Sequence, residues 1–555
     1  MSIDRDDDEK SIRNVSVPAS VIANHEARVE MHEIEELNRL RQVSLKRLDS
    51  AKFGWFQVRA CFVSGAGFFT DAYDLFAINL VAEMLGYVYE KDGILPDNIE
   101  IGLKISAAIG TFVGQLVFGI LADIVGRKKM YGVELWLIIF ATLCTSLSGG
   151  GPYLNIYGMI IFWRVIVGLG VGGDYPLSAI ITSEFAATKY RGAMMATVFA
   201  MQGFGILASI IVAVITLAAA KNDIYEHKNI DGIDYVWRIV LGLGTVPGII
   251  ALYFRLTIPE TPRYRMEVEQ DIREAENDIN DVLEHGRYTR GPRNEVIRRT
   301  ELPPNWWKDL RLYLSVRKNA MILLGTCGAW FCIDVAYYGI GLNNKIFIQR
   351  ALKYKSLPGF EKIRESDAWT PLFHDAVGNL VITCLGTIPG YWCSVLFIDR
   401  WGRKPIQFMG FAALTVIFIV FGATFHKIKD TSIFLFGAIF ILAQFFSNFG
   451  PNTTTFVVPG EVFPTRYRST CYGISAAVGK LGAILAQVAF HKMKNIGGKE
   501  NDGAEYTEEA EFVDKLLFGC AVFMLFGFFF TFLIPETKRR TLEELSNDNT
   551  SNVQT

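Results

Sequence analysis

Five ionisable side chains lie inside long apolar runs of this sequence. Asp71 and Asp74 sit in AGFFTDAYDLFAINL, Asp174 in GLGVGGDYPLSAII, Asp334 in GAWFCIDVAYYGIG and Lys480 in ISAAVGKLGAILAQ. If those runs cross a bilayer, each charge costs on the order of 3 kcal/mol at a helix centre, so each is a functional hypothesis. The carboxylates offer sites for loading and releasing protons. Lys480 offers a compact positive point charge for an anion. Neutral hydrogen-bonding groups accompany them. Trp330, Asp334 and Tyr338 are spaced i, i+4, i+8 and share one helix face. Tyr175 follows Asp174, Gln202 lies in the next run and Asn452 in a later one. Lys104 and Glu134 fall near the ends of their runs, where they reach the interface. Arg164 is read as structural or coupling-related.

One fixed cation, several neutral donors and one carboxylate suit a small, protonated oxyanion. Phosphate keeps a proton near neutral pH, and Asp334 can accept that O–H, whereas fully ionised sulfate would be repelled. For Trp330 and Tyr338 taken singly, ordinary packing aromatics is an equally good reading. No nucleophile–base pair and no metal-ligand cluster stands out, so neither an enzyme nor a bound cofactor is expected. The eight cysteines are scattered through apolar stretches without disulfide or metal spacing.

The elements that must position these groups follow from hydropathy. Of 555 residues 51% are hydrophobic, and the mean hydropathy is +0.26. A helical span needs about 20 mainly apolar residues. Twelve such segments centre on 57–82, 101–122, 131–149, 155–176, 193–219, 237–257, 319–343, 375–398, 405–425, 432–456, 469–490 and 513–534. The expected fold is an all-α membrane protein of 12 transmembrane helices in two six-helix halves, with the lipid bilayer as partner. A net charge of −2 gives no nucleic-acid footprint. The charged first 56 residues contain no signal-peptide pattern, so the first apolar segment is the expected insertion signal.

Lys and Arg cluster after segments 2, 4, 8, 10 and 12, on the face that also holds both termini, which makes that face cytoplasmic. The loop 344–374 is also basic and disagrees, as a single long loop against five short clusters. The expected units are a cytoplasmic tail 1–56, a half 57–258, a central cytoplasmic loop 259–318, a half 319–535 and a tail 536–555. Within the central loop, MEVEQDIREAENDINDVLE reads as a solvent-exposed helix. NWWKDLRLYL reads as an amphipathic interfacial helix anchored by Trp306 and Trp307.

The two halves repeat. Asp123-x-x-Gly126-Arg127-Lys128 recurs as Asp399-x-x-Gly402-Arg403-Lys404, 276 residues later. Glu184-x6-Arg191 recurs as Glu461-x6-Arg468, 277 residues later. Parallel six-helix repeats with substrate between them are the plan of major-facilitator transporters. Asp123, Arg127, Glu184, Arg191, Asp399, Arg403, Glu461 and Arg468 therefore form a candidate gating network, made and broken as the halves rock. Gly110-x3-Gly114 and Gly168-x3-Gly172 allow helices to approach closely.

The stretch Gly172-Gly173-Asp174-Tyr175-Pro176-Leu177-Ser178, continuing to Arg191-Gly192, resembles the helix 4–5 signature of the phosphate:proton symporter family. Gly67-Phe68-Phe69-Thr70-Asp71-Ala72-Tyr73-Asp74 is similar to its helix 1. Trp330-x3-Asp334-x3-Tyr338, Phe449-Gly450-Pro451-Asn452 and Lys480 resemble its helices 7, 10 and 11. The resemblance covers roughly residues 55–545 and is nearest to fungal high-affinity phosphate transporters. It implies a plasma-membrane importer of inorganic phosphate coupled to protons. It also implies phosphate contacts at Tyr175, Gln202, Trp330, Asp334, Tyr338, Asn452 and Lys480, and a proton pathway through Asp71, Asp74 and Asp174. Three rival readings stay open. A sugar porter fits the Pro-Glu-Thr loop motifs at 259–261 and 535–537, but helix 7 lacks that family's paired glutamines. The others are a glycerophosphodiester carrier and a nutrient receptor that binds phosphate but transports little.

Overall fold

Apolar runs become helices because a backbone without water must satisfy its own N–H and C=O groups. The computed structural model describes residues 39–91, 93–227, 229, 231–256, 260–266, 275–276, 279, 306–351, 368–497 and 511–545. The first half holds α1 (Trp55–Tyr89), α2 (Asp97–Val125), α3 (Arg127–Ser146), α4 (Ile156–Phe185) and α5 (Arg191–Ala219), closed by α6 (Asp231–Arg255). The second holds α7 (Arg317–Gly341), α9 (Arg403–Thr431), α11 (Arg468–Gly497) and α12 (Glu511–Thr531). Between them run α8 (Trp369–Trp401) and α10, which is two helices, Ile433–Asn448 and Pro451–Val462.

Among the described residues, ten helical segments are long and apolar enough to cross a membrane. The other two of the twelve expected spans are α1 and α3. Arg59, Asp71, Asp74 and Glu83 interrupt α1, and α3 opens on Arg127-Lys128-Lys129 and carries Glu134. α1 packs on α5 and α3 on α4, while Trp136, Phe140 and Leu143 leave one face of α3 exposed. Several helices depart from regular geometry. α6 breaks at Leu243–Gly244, α8 contains a π-helical turn at Thr383–Thr387, and α10 breaks at Phe449–Gly450.

The halves meet along two seams related by the repeat, α2 with α11 and α5 with α8. Glycine sets the spacing inside the first half. A Cβ on Gly110 would lie 2.0 Å from the Val165 carbonyl, and one on Gly168 2.1 Å from that of Ala107, so α2 and α4 touch backbone to backbone. The repeated turns after α2 and α8 each need a left-handed residue, supplied by Gly126 (φ 113°) and Gly402 (φ 106°). The end of the bundle that carries these turns is called the basic end below.

Two expectations about the polar segments change. Ala275 and Ile279, within the stretch read as a solvent-exposed helix, are buried against Leu45 and Met266. Leu45 belongs to a helical stretch at 39–49. Most of the central loop lies outside the described residues. Of the interfacial tryptophans, Trp307 is 62% exposed, but Trp306 is buried against Tyr467. An amphipathic helix has only one apolar face, and Trp306 is on it.

Candidate functional site

The gating residues expected from the repeat lie at the basic end in two mirror-related clusters, buried except for the half-buried Asp399. Arg127 pairs with Glu184, which also accepts from Arg468 Nη1 at 2.8 Å. In the mirror arrangement Arg403 pairs with Glu461 at 2.7 Å, and Glu461 also accepts from Arg191 Nε at 2.9 Å. Asp123 accepts the Thr470 N–H at 2.8 Å, and Asp399 accepts that of Ala193 at 2.8 Å. Each motif thus reaches across to the other half. The arrangement seals the basic end.

The Pro-Glu-Thr repeats buttress it. Glu260 accepts from the Lys128 N–H at 3.1 Å, and Glu536 from that of Lys404 at 3.0 Å. Pro259 lies outside the described residues. Arg263 adds a clasp, donating to Asp49, Glu543 and the Glu184 carbonyl. Burial pushes the Glu543 carboxyl up, but the Arg263 guanidinium beside it outweighs that and holds it below its ordinary value.

The seven expected phosphate contacts gather between the halves. Lys480 Nζ donates to Asp334 Oδ2 and to the Tyr338 hydroxyl, both at 2.9 Å. It also stands over the Tyr175 ring, 5.2 Å from the centroid. Gln202 donates to the Tyr175 hydroxyl at 2.9 Å. The Trp330 ring packs between Tyr175 and Tyr472. A Cβ on Gly479 would lie 2.6 Å from the Trp330 ring, so glycine there lets α11 press Lys480 toward α7. Asn452 joins through a residue the sequence reading did not single out. Tyr391 on α8 accepts from Asn452 at 3.1 Å, donates to Gln202 at 3.3 Å and lies 3.4 Å from the Tyr337 hydroxyl. Its only signal in the sequence was a tyrosine in an apolar run.

Aromatic plugs close both sides of this chamber. Toward the basic end, Phe68 and Phe199 of the first half pack on Phe456 of the second. On the far side, Phe76 of α1 stacks over Tyr338 and meets Tyr337 edge-on. The chamber is occluded in this conformation.

The carboxylates of the first half form a second buried site. Arg255 Nη2 donates to Asp174 Oδ2, and Arg255 Nη1 to Glu134 Oε1, each at 2.7 Å. Gly67 backs onto this pair, and a Cβ there would lie 1.5 Å from Arg255 Nη2. Asp71 is one helical turn further along α1 with its carboxyl against that of Asp174, so that a proton on either would join the two, and no other side chain among the described residues donates to it. Asp74 stands apart, accepting from Thr142 at 2.6 Å beside the α6 break, with Arg164 donating to its carbonyl at 3.5 Å. The expectation that Glu134 reaches the interface is corrected. It is fully buried, because α4 and α6 both pack on α3. Lys104 stays near its helix end, bonded to Glu100 and to Asn343 of the other half. Arg255 went unread although it lies within the apolar segment 237–257. A cation at the end of a span looks like an interfacial anchor.

Two six-helix halves closing on a buried polar chamber define a carrier of the major-facilitator type. The sugar (and other) transporter family matches residues 60–300 and 371–548. The repressible high-affinity phosphate permease of Neurospora crassa is 46% identical over 532 residues, which cover 93% of this chain and 90% of that protein. The inorganic phosphate transporter PHO84 of Saccharomyces cerevisiae is 43% identical, covering 92% of this chain and 88% of its own. The inorganic phosphate transporter 1-11 of Oryza sativa subsp. japonica is 39% identical, covering 91% and 90%. Among solved structures, the proton:xylose symporter XylE bound to 6-bromo-6-deoxy-D-glucose matches with a TM-score of 0.65 at 18% identity, over 88% of this chain and 98% of that one. That likeness shows the fold alone. The chain belongs to the sugar (and other) transporter family and, within it, to the phosphate permeases that these fungal and plant relatives represent.

Proposed function

We propose that this protein imports inorganic phosphate together with protons by alternating access, from the plasma membrane, with the basic end in the cytoplasm. The observation that carries the reading is Lys480, an occluded cation between the halves held by one carboxylate and one hydroxyl. An arriving phosphate replaces part of that arrangement. Lys480 holds its charge, Tyr175, Gln202, Trp330, Tyr338 and Asn452 replace its hydration shell, and Asp334 accepts its O–H. Asp71, Asp74 and Asp174 carry the protons. A proton on Asp71 can be shared with the Asp174 carboxyl beside it. An inside-negative membrane opposes each anionic charge by about 2.3 kcal/mol per 100 mV. A monoanion therefore enters with the electrical gradient only alongside two or more protons. When both sites are filled, the cross-half network at the basic end parts and the chamber opens inward. The half boundaries follow the helices, with 57–258 and 319–535 moving as bodies around the loop 259–318.

The test is uptake and counterflow of labelled phosphate by the purified protein in liposomes. An inward proton gradient should drive accumulation, and a protonophore should abolish it. Unlabelled phosphate should compete, and sulfate and glucose should not. Counterflow driven by glucose, or binding without any uptake, would overturn the reading.

A further inference from the structure

A second polar cavity lies beyond the aromatic plug formed by Phe76 and Tyr337, on the side away from the basic end. Its polar lining is entirely neutral: Asn79, Asn344, Asn379, Thr383, Thr387 and Gln444. None of these belongs to the chamber around Lys480.

Hydrogen bonding fixes how several of these groups point. Asn79 Nδ2 donates to the Gly341 carbonyl at 3.2 Å, and Asn379 Nδ2 to that of Asp375 at 2.9 Å. Asn344 Nδ2 donates to Asn379 Oδ1 at 3.2 Å. Asn79 Oδ1 and Asn344 Oδ1 are left buried and without a partner among the described residues. Buried polar atoms are rarely left so, because each costs about 1–3 kcal/mol. Thr383, Thr387 and Gln444 are each less than a tenth exposed, and their side chains make no hydrogen bond among the described residues. The two threonines bound the π-helical turn of α8. Such turns are uncommon and concentrate at functional sites.

We infer that this cavity is an outer waiting site for the monoanion of phosphate, occupied before the anion passes Tyr337 into the chamber. The inference rests on the function proposed above. Protonated phosphate needs both kinds of partner. Its ionised oxygens take donors from Gln444, Thr383 and Thr387, and its O–H groups meet the free carbonyl oxygens of Asn79 and Asn344. A fully ionised anion has nothing to offer those carbonyls. With no charge in the lining, the hold is weak and release is easy. Tyr337 links the two sites, since it lines the cavity and its hydroxyl lies 3.4 Å from that of Tyr391, which bonds Gln202 and Asn452.

The test compares kinetics with equilibrium binding in one double variant, Thr387→Val with Gln444→Leu. Losing two hydrogen bonds to an anion should raise the KM for external labelled phosphate about tenfold in liposomes, with the maximal rate within about twofold. Equilibrium binding of phosphate to the same purified protein should stay within about twofold, because Lys480 and Asp334 are untouched. Thr387→Ser keeps the hydroxyl and should keep the parental KM. An unchanged KM in the double variant overturns the outer site. A loss of equilibrium binding alongside the KM also overturns it, since the residues would then belong to the inner site or to folding. A parent protein that fails to accumulate phosphate overturns the function itself, which is a separate result.

Discussion

The two buried ionic sites differ in composition more than in depth. In the first half, Asp174 and Glu134 share the single guanidinium of Arg255, with the Asp71 carboxyl against that of Asp174. In the second, one carboxylate meets one ammonium, Asp334 with Lys480. The first site has three carboxyls to one guanidinium, so with all three ionised it would be in negative surplus, and in the proposed cycle protons restore the balance. The second pairs one carboxylate with one ammonium and, in the proposed cycle, shares that cation with the arriving anion. Burying a charge is expensive without a partner, so each site is stable in the loading state that its charge count dictates. On the function proposed above, one half serves the protons and the other the anion. The division is incomplete, since Tyr175 and Gln202 of the first half reach into the anion chamber.

The most damaging test of this contrast is Lys480→Ala. It removes the only buried cation next to the chamber among the described residues and leaves Asp334 unpaired. Phosphate affinity in the purified protein should fall by about a hundredfold or more. Retained affinity would show that the anion is held elsewhere. Next in size are Asp71→Asn and Asp174→Asn. Both should keep equilibrium phosphate binding within about threefold, while pH-gradient-driven accumulation falls at least about tenfold. Exchange of internal for external phosphate should survive, because it needs no net proton movement. An Asp174→Asn carrier that still concentrates phosphate with undiminished pH dependence would remove Asp174 from the proton path.

Asp334→Asn sharpens the other side of the contrast. The amide no longer repels a doubly charged anion, and Lys480 loses its counter-charge. Sulfate should become a competitor, its affinity relative to phosphate rising about tenfold. If sulfate competes no better than with the parent, Asp334 does not select for the O–H. The smallest effect belongs to Tyr391→Phe, which deletes one hydroxyl between Gln202 and Asn452. Phosphate affinity should weaken about fivefold, the worth of roughly one hydrogen bond, with proton coupling unchanged. A variant that lost coupling but kept affinity would place Tyr391 on the proton side.

Much of this was visible in the chain alone. Apolar length marked the spans, and matches 276 or 277 residues apart marked the halves and the paired charged motifs. Spacing along α7 put Trp330, Asp334 and Tyr338 on one face before any contact was known. These are local properties, carried by neighbours in the chain. What remained hidden was pairing. Arg255 lies 81 residues from Asp174 and 121 from Glu134, and no window of sequence contains both partners. Tyr391 is likewise 189 residues from Gln202. Whether a charge near a helix end escapes to the interface or is captured inside depends on which helix covers it. Helix α6, packed on α3, captured Glu134, while Lys104, placed much as Glu134 is near the end of its span, stayed beside Asn343 near the far end of the bundle. Hydropathy could place each ionisable group along its own helix, but only packing between distant helices could decide its partner and hence its charge state.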